Sequence, residues 1–513
     1  MVIIYHEHNK PIEIQDTEGR NIRFDENAYM SVVLFEIAEK YPEETLVWCH
    51  IACKSNLNTS ALPTITANKR ELQSFSAGEW NYLGEAIGYV DESVFIKVNK
   101  GVKYPTWQMS SLVGAVQASI LLSVKAQIHP SENFDYVLNS LAKRCMSQGV
   151  FCYSNPELIK GNMEVAHVKA NAYELFRFVK QHYKAIWVFL LFMNLLVYNK
   201  RMPFLPCIYA LFFRRRKDLK LENRSLQLDN QEPNVKRDSV DVIIPTIGRK
   251  NCLYDVLCDL REQTCIPEKI IIVEQNPKEG SESALDYLET ADWPFKIKHM
   301  FTHQTGACYA RNWALEQVDS EWVFMADDDI RLKTEFIEEA FQIIKQHTFN
   351  VFTFACHSPE DINDLKNQKQ WETFGSGCSI VNANIIKNCS FDMGYEHGFG
   401  EDADFGMQLR NIGEDILYVP KPSISHLKAP RGGFRTVFKQ QRHDDLIQPK
   451  PSPTVMLFKL KHQTRTQLLG YKTTLFFKYY KQQPIKNPLK YLKNFKKQWD
   501  RSVYWAEELR SLN

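Results

Sequence analysis

The stretch Glu321-Trp322-Val323-Phe324-Met325-Ala326-Asp327-Asp328-Asp329 decides how the rest of the chain is read. A short uninterrupted apolar run suits a strand buried on both faces of a sheet, and here three carboxylates follow it directly. Open α/β sheets hold their ligands at the carboxyl ends of such strands. Carboxylates one residue apart can share a hard cation, and Mg²⁺ or Mn²⁺ favours one or two carboxylates completed by phosphate oxygens and water. Asp327 and Asp329 are therefore candidate metal ligands. The blander reading is a helix N-cap, because Lys333 to His347 has a helical pattern and Asp favours a helix start; one Asp would be enough for that.

Further along, Tyr395-Glu396-His397-Gly398-Phe399-Gly400 forms a glycine-punctuated loop and Glu401-Asp402-Ala403-Asp404 opens a helical pattern to Asn411. Acids are favoured at a helix start by the dipole, and a carboxylate there can also act as a general base. Around both clusters, strand patterns at Val240 to Ile247, Lys269 to Glu274, Phe295 to Phe301 and Trp322 to Ala326 alternate with helical patterns. These are Cys252 to Gln263, Glu282 to Glu289, Ala307 to Gln317 and Thr334 to His347. Such alternation predicts a doubly wound α/β sheet with helices on its faces.

Five pieces occur in order: Val240-Asp241-Val242-Ile243-Ile244-Pro245-Thr246, Ile270-Ile271-Ile272-Val273-Glu274-Gln275, Thr305-Gly306-Ala307-Cys308-Tyr309-Ala310-Arg311-Asn312, the Asp327 triplet and Gly400-Glu401-Asp402-Ala403-Asp404. With them, residues 239 to 430 resemble an inverting glycosyltransferase of the family 2 type. The resemblance implies a GT-A fold, a doubly wound mixed and mostly parallel sheet. It also implies roles. Asp327 and Asp329 hold the metal and donor diphosphate, Asp328 faces ribose or sugar, Asp402 is the base, and Glu401 contacts the acceptor or orients the base. Pro245, Thr246, Arg249 and Glu274 lie where the nucleoside is held. Arg311 falls near the nucleotide, and its planar guanidinium suits phosphate. His426, after a strand pattern at Asp415 to Val419, reads as a further metal or diphosphate contact or as a lone surface histidine. One departure shifts base recognition: the family's second strand usually ends in paired Asp followed by Gly-Ser, and this chain has Glu274-Gln275-Asn276-Pro277.

The expected activity is a metal-dependent, hexosyltransferase-like transfer of a sugar from a nucleotide-sugar to an acceptor hydroxyl, with inversion. The acceptor is a glycan or a lipid-linked glycan, as in cell-surface polysaccharide or glycolipid assembly. Two other classes stay open. A sugar nucleotidyltransferase would share the sheet and the metal carboxylates but needs a Gly-rich basic loop after its first strand, where Pro245-Thr246-Ile247-Gly248-Arg249-Lys250 has one glycine. A non-catalytic membrane scaffold of a glycan-assembly complex would have lost the acids, which are intact.

At 513 residues the chain can bury two cores, and its net charge is only +2. Twelve scattered cysteines without a CxxC pair, and a charged alternating pattern from Met1 to Asp16, predict reduced thiols in the cytosol. From Lys459 to Arg501 there are twelve Lys or Arg and one acid, interleaved with aromatic residues such as Tyr491, Phe495 and Trp499. Such a helical basic tail suits an anionic membrane surface, or packs as a solvated helical face; nucleic acid is not expected as a partner. Ala185 to Tyr198 and Met202 to Phe213 are apolar but interrupted by Asn199-Lys200-Arg201 and by Pro203 and Pro206, and the block ends in Arg214-Arg215-Arg216-Lys217. Neither half reaches the roughly 20 residues of a span. The expectation is a monotopic or re-entrant hairpin on the inner face of the cell membrane, the alternative a buried helical pair.

The domain boundaries expected are an N-terminal α/β domain over 1–165, the membrane-associating segment over 166–218, a polar linker over 219–238, the catalytic domain over 239–435 and the tail over 436–513. The first domain echoes the catalytic one. Glu44 to His50 resembles Glu321 to Met325 without a carboxylate triplet, and Ala118 to Ile128 echoes Cys378 to Ile386. Glu132-Asn133-Phe134-Asp135 stands for Glu401-Asp402-Ala403-Asp404, and Gly149 to Pro156 parallels Gly413 to Pro420. The expectation is a degenerate partial copy with Asn133 in place of the base.

Overall fold

A computed structural model describes residues 1–78, 81–127, 133–161, 169–217, 219, 239–358, 360–361, 365–429 and 441–511. Contacts divide the chain into two compact units, residues 1–229 with 463–484, and residues 230–462 with 485–513. Residues 220–238 of the expected linker lie outside the described residues, as does Glu132 of the proposed echo.

Unit 1 opens with a hairpin of β1 (Val2–Glu7) and β2 (Lys10–Asp16), which the N-terminal alternation encodes. Helix α1 (Met30–Lys40) leads to β3 (Thr45–His50), then α2 (Leu62–Ile65), β4 (Glu71–Phe75), β5 (Tyr104–Pro105) and β6 (Val113–Gln117). Helices α3 (Ala118–Val124) and α4 (Phe134–Cys145) and strand β7 (Phe151–Ser154) complete the sheet, whose order is β2-β1-β3-β6-β4-β7-β5. Its core holds Trp48, Trp107, Tyr104 and Phe151, each almost fully buried.

Three helices follow, α5 (Ala172–His182), α6 (Ile186–Asn199) and α7 (Phe204–Leu211). Asn171 and Glu174 cap α5 reciprocally. Lys200 in the left-handed region ends α6, so the apolar segment is two short helices. Among the described residues no helix is long and apolar enough to cross a membrane. Val188, Leu190, Leu191 and Leu195 of α6 turn into unit 1, while Phe189, Val197, Leu205, Leu211 and Phe212 are exposed, Phe212 to 82%.

Unit 2 runs β8 (Val240–Ile247), α8 (Lys250–Arg261), β9 (Lys269–Gln275), α9 (Tyr287–Thr290), β10 (Lys296–Thr302), α10 (Ala307–Leu315), β11 (Trp322–Ala326) and β12 (Ile330–Arg331). It continues with α11 (Phe336–Ile344), β13 (Val351–His357), β14 (Lys369–Gln370), β15 (Cys378–Asn382), α12 (Ala383–Ile386), α13 (Glu401–Asn411) and β16 (Ile416–His426). The sheet order is β10-β9-β8-β11-β15-β13-β16-β12, with β14 also on β16. Strands β8, β9, β10, β11, β13 and β16 point one way and β12, β14 and β15 the other. The expected α/β sheet is present, and β11 is buried along its whole length, as its apolar run requires. The helical pattern at Glu282 to Glu289 shrinks to α9, because Ser283 and the Ala284 N–H are drawn to the Glu274 carboxylate instead.

Residues 436–513, read from sequence as one tail, contribute to both units. Helices α14 (Pro453–His462) and α16 (Pro488–Arg510) belong to unit 2, whereas α15 (Arg465–Tyr480) belongs to unit 1. Tyr491, Phe495 and Trp499 of α16 are buried, so these three rings pack as core and are not free for a membrane interface.

The two sheets share a plan. β1, β3, β6, β4, β7 and β5 pair in succession parallel, antiparallel, antiparallel, parallel and antiparallel; β8, β11, β15, β13, β16 and β12 repeat that succession. Registers coincide as well: Val116 lies between Leu46 and Leu72 as Val381 lies between Val323 and Val351. The Ala118 N–H donates to the Glu44 carbonyl at 3.0 Å, and the Ala383 N–H to the Glu321 carbonyl at 2.8 Å. Before the last long strand, Gly149 and Gly413 turn with φ of 96° and 95°, a conformation that favours glycine.

This plan corrects two details of the sequence echo. Ala118 begins a helix and matches Ala383, so Cys378 to Asn382 is matched by Val113 to Gln117; short apolar runs have no period to separate strand from helix. Asn133 is the N-cap of α4, accepting the Tyr136 N–H, and Asp135 occupies the second helical position that Asp402 holds in α13. Unit 1 has the antiparallel β2 where unit 2 has β9 and β10, and β3 ends on His50 where β11 runs into Asp327.

Candidate active site

Strand β11 delivers the triplet at its carboxyl end, as its sequence predicts. Asp327 and Asp329 converge with His426, the last residue of β16, so that one ligand atom from each lies within 4.8 Å of the others. The His426 Nε2 is 3.1 Å from an Asp329 oxygen, and that hydrogen bond raises the histidine pKa. Burial works to raise the Asp329 pKa, but His426, the Ala429 N–H and Arg249 outweigh it and hold it low. Two carboxylates and an imidazole are suitable donors for Mg²⁺ or Mn²⁺. Gly377 makes room for the triplet, since a Cβ there would run into the Asp327 carboxylate.

Asp328 points the other way. It is buried and accepts hydrogen bonds from Thr246 at 2.7 Å and from Arg249, which ties β8 and its following turn to the triplet. Burial still pushes its pKa up to about 6 against the pull of Arg249 and Thr246. Pro245 sits in β8 opposite Val273 of β9, one residue before Thr246. Glu274, near the end of β9, is held by His299 at 3.0 Å, Ser283 at 2.6 Å and the Ala284 N–H at 3.1 Å.

Arg311 on α10 is buried, donates to Asp327 at 3.2 Å, and has an Nε with no partner. Asp327, Asp402 and Glu401 surround it, and their charges outweigh burial in raising its pKa. Glu396, from the loop before α13, accepts the Cys308 and Tyr309 N–H groups at 3.1 and 2.8 Å and so fixes the first turn of α10.

Glu401 and Asp402 form the first turn of α13. Burial and then the charge of Asp402 push Glu401 up to about 7. Burial also raises Asp402, against Arg311 and hydrogen bonds from Ser376. The Asp402 Oδ1 is out of solvent and has no hydrogen-bond partner. Asp404, one turn on, faces the protein: His462 at 2.6 Å, Lys461 at 2.7 Å and the Tyr395 hydroxyl at 3.1 Å enclose it. Burial would raise it, yet His462 and Lys461 hold it at about 2. The structure thus brings Asp327, Asp328, Asp329, His426, Arg249, Thr246, Arg311, Glu401 and Asp402 to one end of one sheet. Glu396, Ser376, Lys461 and His462 were not read from the sequence; the glycine-punctuated loop was the one signal for the first of them.

Residues 241–402 match the family model of glycosyl transferase family 2. They form a family 2 glycosyltransferase domain. Solved structures similar to the chain include S. aureus TarS, at 19% identity and a TM-score of 0.31, with 37% of this chain and 37% of TarS covered. S. aureus TarS 1-349 in complex with UDP-GlcNAc is similar at 15% identity and a TM-score of 0.34, over 46% of this chain and 70% of that one. GalNAc-T7 with UDP, GalNAc and Mn²⁺ is similar at 12% identity and a TM-score of 0.31, over 37% and 44%. The chain therefore spans 37% of the length of full TarS. No curated protein matches it. Within the glycosyltransferase domain fall every sequence-predicted site residue except His426, which β16 carries back to the triplet.

Proposed function

We propose that the protein transfers a sugar from a nucleotide-sugar donor to an acceptor hydroxyl with inversion. What supports this most is a buried carboxylate oxygen without a partner, Asp402 Oδ1, in a site that also holds Arg311 and the Asp327, Asp329 and His426 triad. The nucleoside lies over the ends of β8 and β9, at Pro245, Thr246, Arg249 and Glu274. Arg311 takes the diphosphate. A Mg²⁺ or Mn²⁺ bound at Asp327, Asp329 and His426 would neutralise charge on the departing diphosphate. Asp402 accepts the proton of the acceptor hydroxyl as its oxygen bonds to the anomeric carbon and the carbon–diphosphate bond breaks on the opposite side. A carboxylate whose pKa is raised by burial is suited to that step.

Asp402→Asn is expected to lower transfer by about 10²-fold or more while donor binding, followed by thermal shift against UDP-, GDP-, dTDP- and CMP-sugars with Mn²⁺, survives. Equal loss of donor binding would move Asp402 to the nucleotide site, and no binding of any donor would remove the enzyme reading.

We place the reaction at a membrane surface, on the cytosolic face, with a lipid-linked or surface glycan as acceptor. Supporting this, the exposed apolar faces of α6 and α7 are bordered by exposed Lys184, Lys200, Arg201, Arg214 and Arg215, the pairing of rings and cations that anionic lipid surfaces attract. In co-sedimentation, vesicles containing phosphatidylserine should retain the protein, and Phe212→Asp with Leu205→Asp should release it. Retention of the double variant would refute the placement.

A further inference from the structure

On the side of the sheet away from β8 and β9, unit 2 contains a cavity of about 300 Å³ between β13, β15 and β16. One wall is aromatic. Trp371 stacks on Tyr418 with ring centroids 4.5 Å apart, Lys369 Nζ lies 5.0 Å from the Trp371 centroid, and Phe354 and Leu365 extend the apolar surface. Among the described residues the lining includes no Asp, Glu, Lys or Arg. It does include His357, whose Nδ1 is buried without a partner. A buried polar atom left unpaired costs free energy, so a ligand that pairs it recovers that loss.

The cavity adjoins the proposed base. Gly375 and Cys378 line it, and Ser376 between them hydrogen-bonds Asp402, whose Oδ1 is buried without a partner. Cys356, also in the lining, lies close enough to Asp327 and Asp329 to feel their charges. A neutral group with an apolar face for Trp371 and a hydroxyl for His357 fits this chemistry, and a pyranose ring has both. The volume lies at the small end of ligand pockets, which run from about 300 to 1,000 Å³, a size for one ring and not for a chain.

We propose that this cavity seats the terminal sugar ring of the acceptor glycan, stacked on Trp371 with one hydroxyl directed to Asp402. The proposal rests on the glycosyltransferase reading and adds to it the acceptor subsite. Position separates acceptor from donor: the nucleoside strands β8 and β9 lie beyond β11 from the strands that line the cavity, and the base lies beside it.

The test uses the intact chain with methyl glycosides of glucose, galactose and N-acetylglucosamine as probes. Alkylation of Cys356 by iodoacetamide is followed by peptide mass spectrometry, with donor hydrolysis measured in parallel. At least one glycoside should slow alkylation of Cys356, and UDP alone should not. Trp371→Ala should raise the glycoside concentration for half-protection roughly tenfold, as loss of one aromatic contact predicts, and Trp371→Phe should restore most of it. The proposal is overturned if no glycoside protects, if Trp371→Ala protects as well as wild type, or if nucleotide-sugars protect and glycosides do not, which would make the cavity a donor-sugar site. Donor hydrolysis by an unprotected wild type would sink the subsite alone; absence of hydrolysis would sink the enzyme reading itself.

Discussion

Glu401 and Asp402 are adjacent carboxylates with different surroundings. Asp402 has Ser376 and Arg311 to hold its charge, while Glu401 is raised to about 7 by burial and by the neighbouring charge. A carboxyl group raised in the fold binds its proton more tightly there than in the unfolded chain, so stability falls as pH rises from the ordinary glutamate range to about 7. Glu401→Gln removes that charge. The variant should be more stable than wild type by about 1–3 kcal/mol at pH 8 and similar to it at pH 5, read from urea unfolding at both values. The letters of the triplet and of Glu401 and Asp402 were legible because spacing and flanking patterns mark them. Ser376 and the Lys461–His462 pair were not, since a hydrogen bond between distant segments leaves no local periodicity to read.

At the level of elements, α16 shows why composition misled. Its buried residues Tyr491, Phe495, Trp499, Ser502 and Ala506 form one stripe at helical spacing, and the lysines occupy the remaining surface. A count of bases and rings sees a membrane-seeking tail, whereas the period of the rings shows a core-facing stripe with a solvated basic side. Trp499→Ala should lower stability by about 3 kcal/mol, measured by chemical denaturation followed by circular dichroism; a surface ring would cost far less. The apolar segment, expected as a monotopic or re-entrant hairpin or a buried helical pair, is two short helices with α6 ending at Lys200 and α7 following Pro203, and the structure adds which residues turn inward.

Across the whole molecule, two sheets follow one strand plan, and among the described residues only one of them carries the acidic site. Asp135 matches Asp402 in helix position and is likewise held by a serine two residues before a strand, but Ser111 occupies both its oxygens at 2.8 Å, and its helix neighbour Phe134 packs edge-on to His6 and Trp48. Asp135→Asn should therefore leave transfer within about twofold of wild type in the assay where Asp402→Asn loses about 10²-fold. A large loss would give the first sheet a catalytic role. The echo was legible in glycines and strand letters, but its register was not, because register is fixed by pairing partners far along the chain.

The placement of α15 has a consequence for how the chain is made. Synthesis from the amino terminus completes the first sheet early, yet the helix that finishes unit 1 leaves the ribosome only after the whole catalytic sheet and α14 have emerged. Throughout that interval, the surfaces that α15 covers at Tyr89 and Asp91 are bare. The nascent protein thus carries an unfinished first body until α15 has emerged, and a ribosome that stalls before residue 463 releases a product whose first sheet lacks that cover.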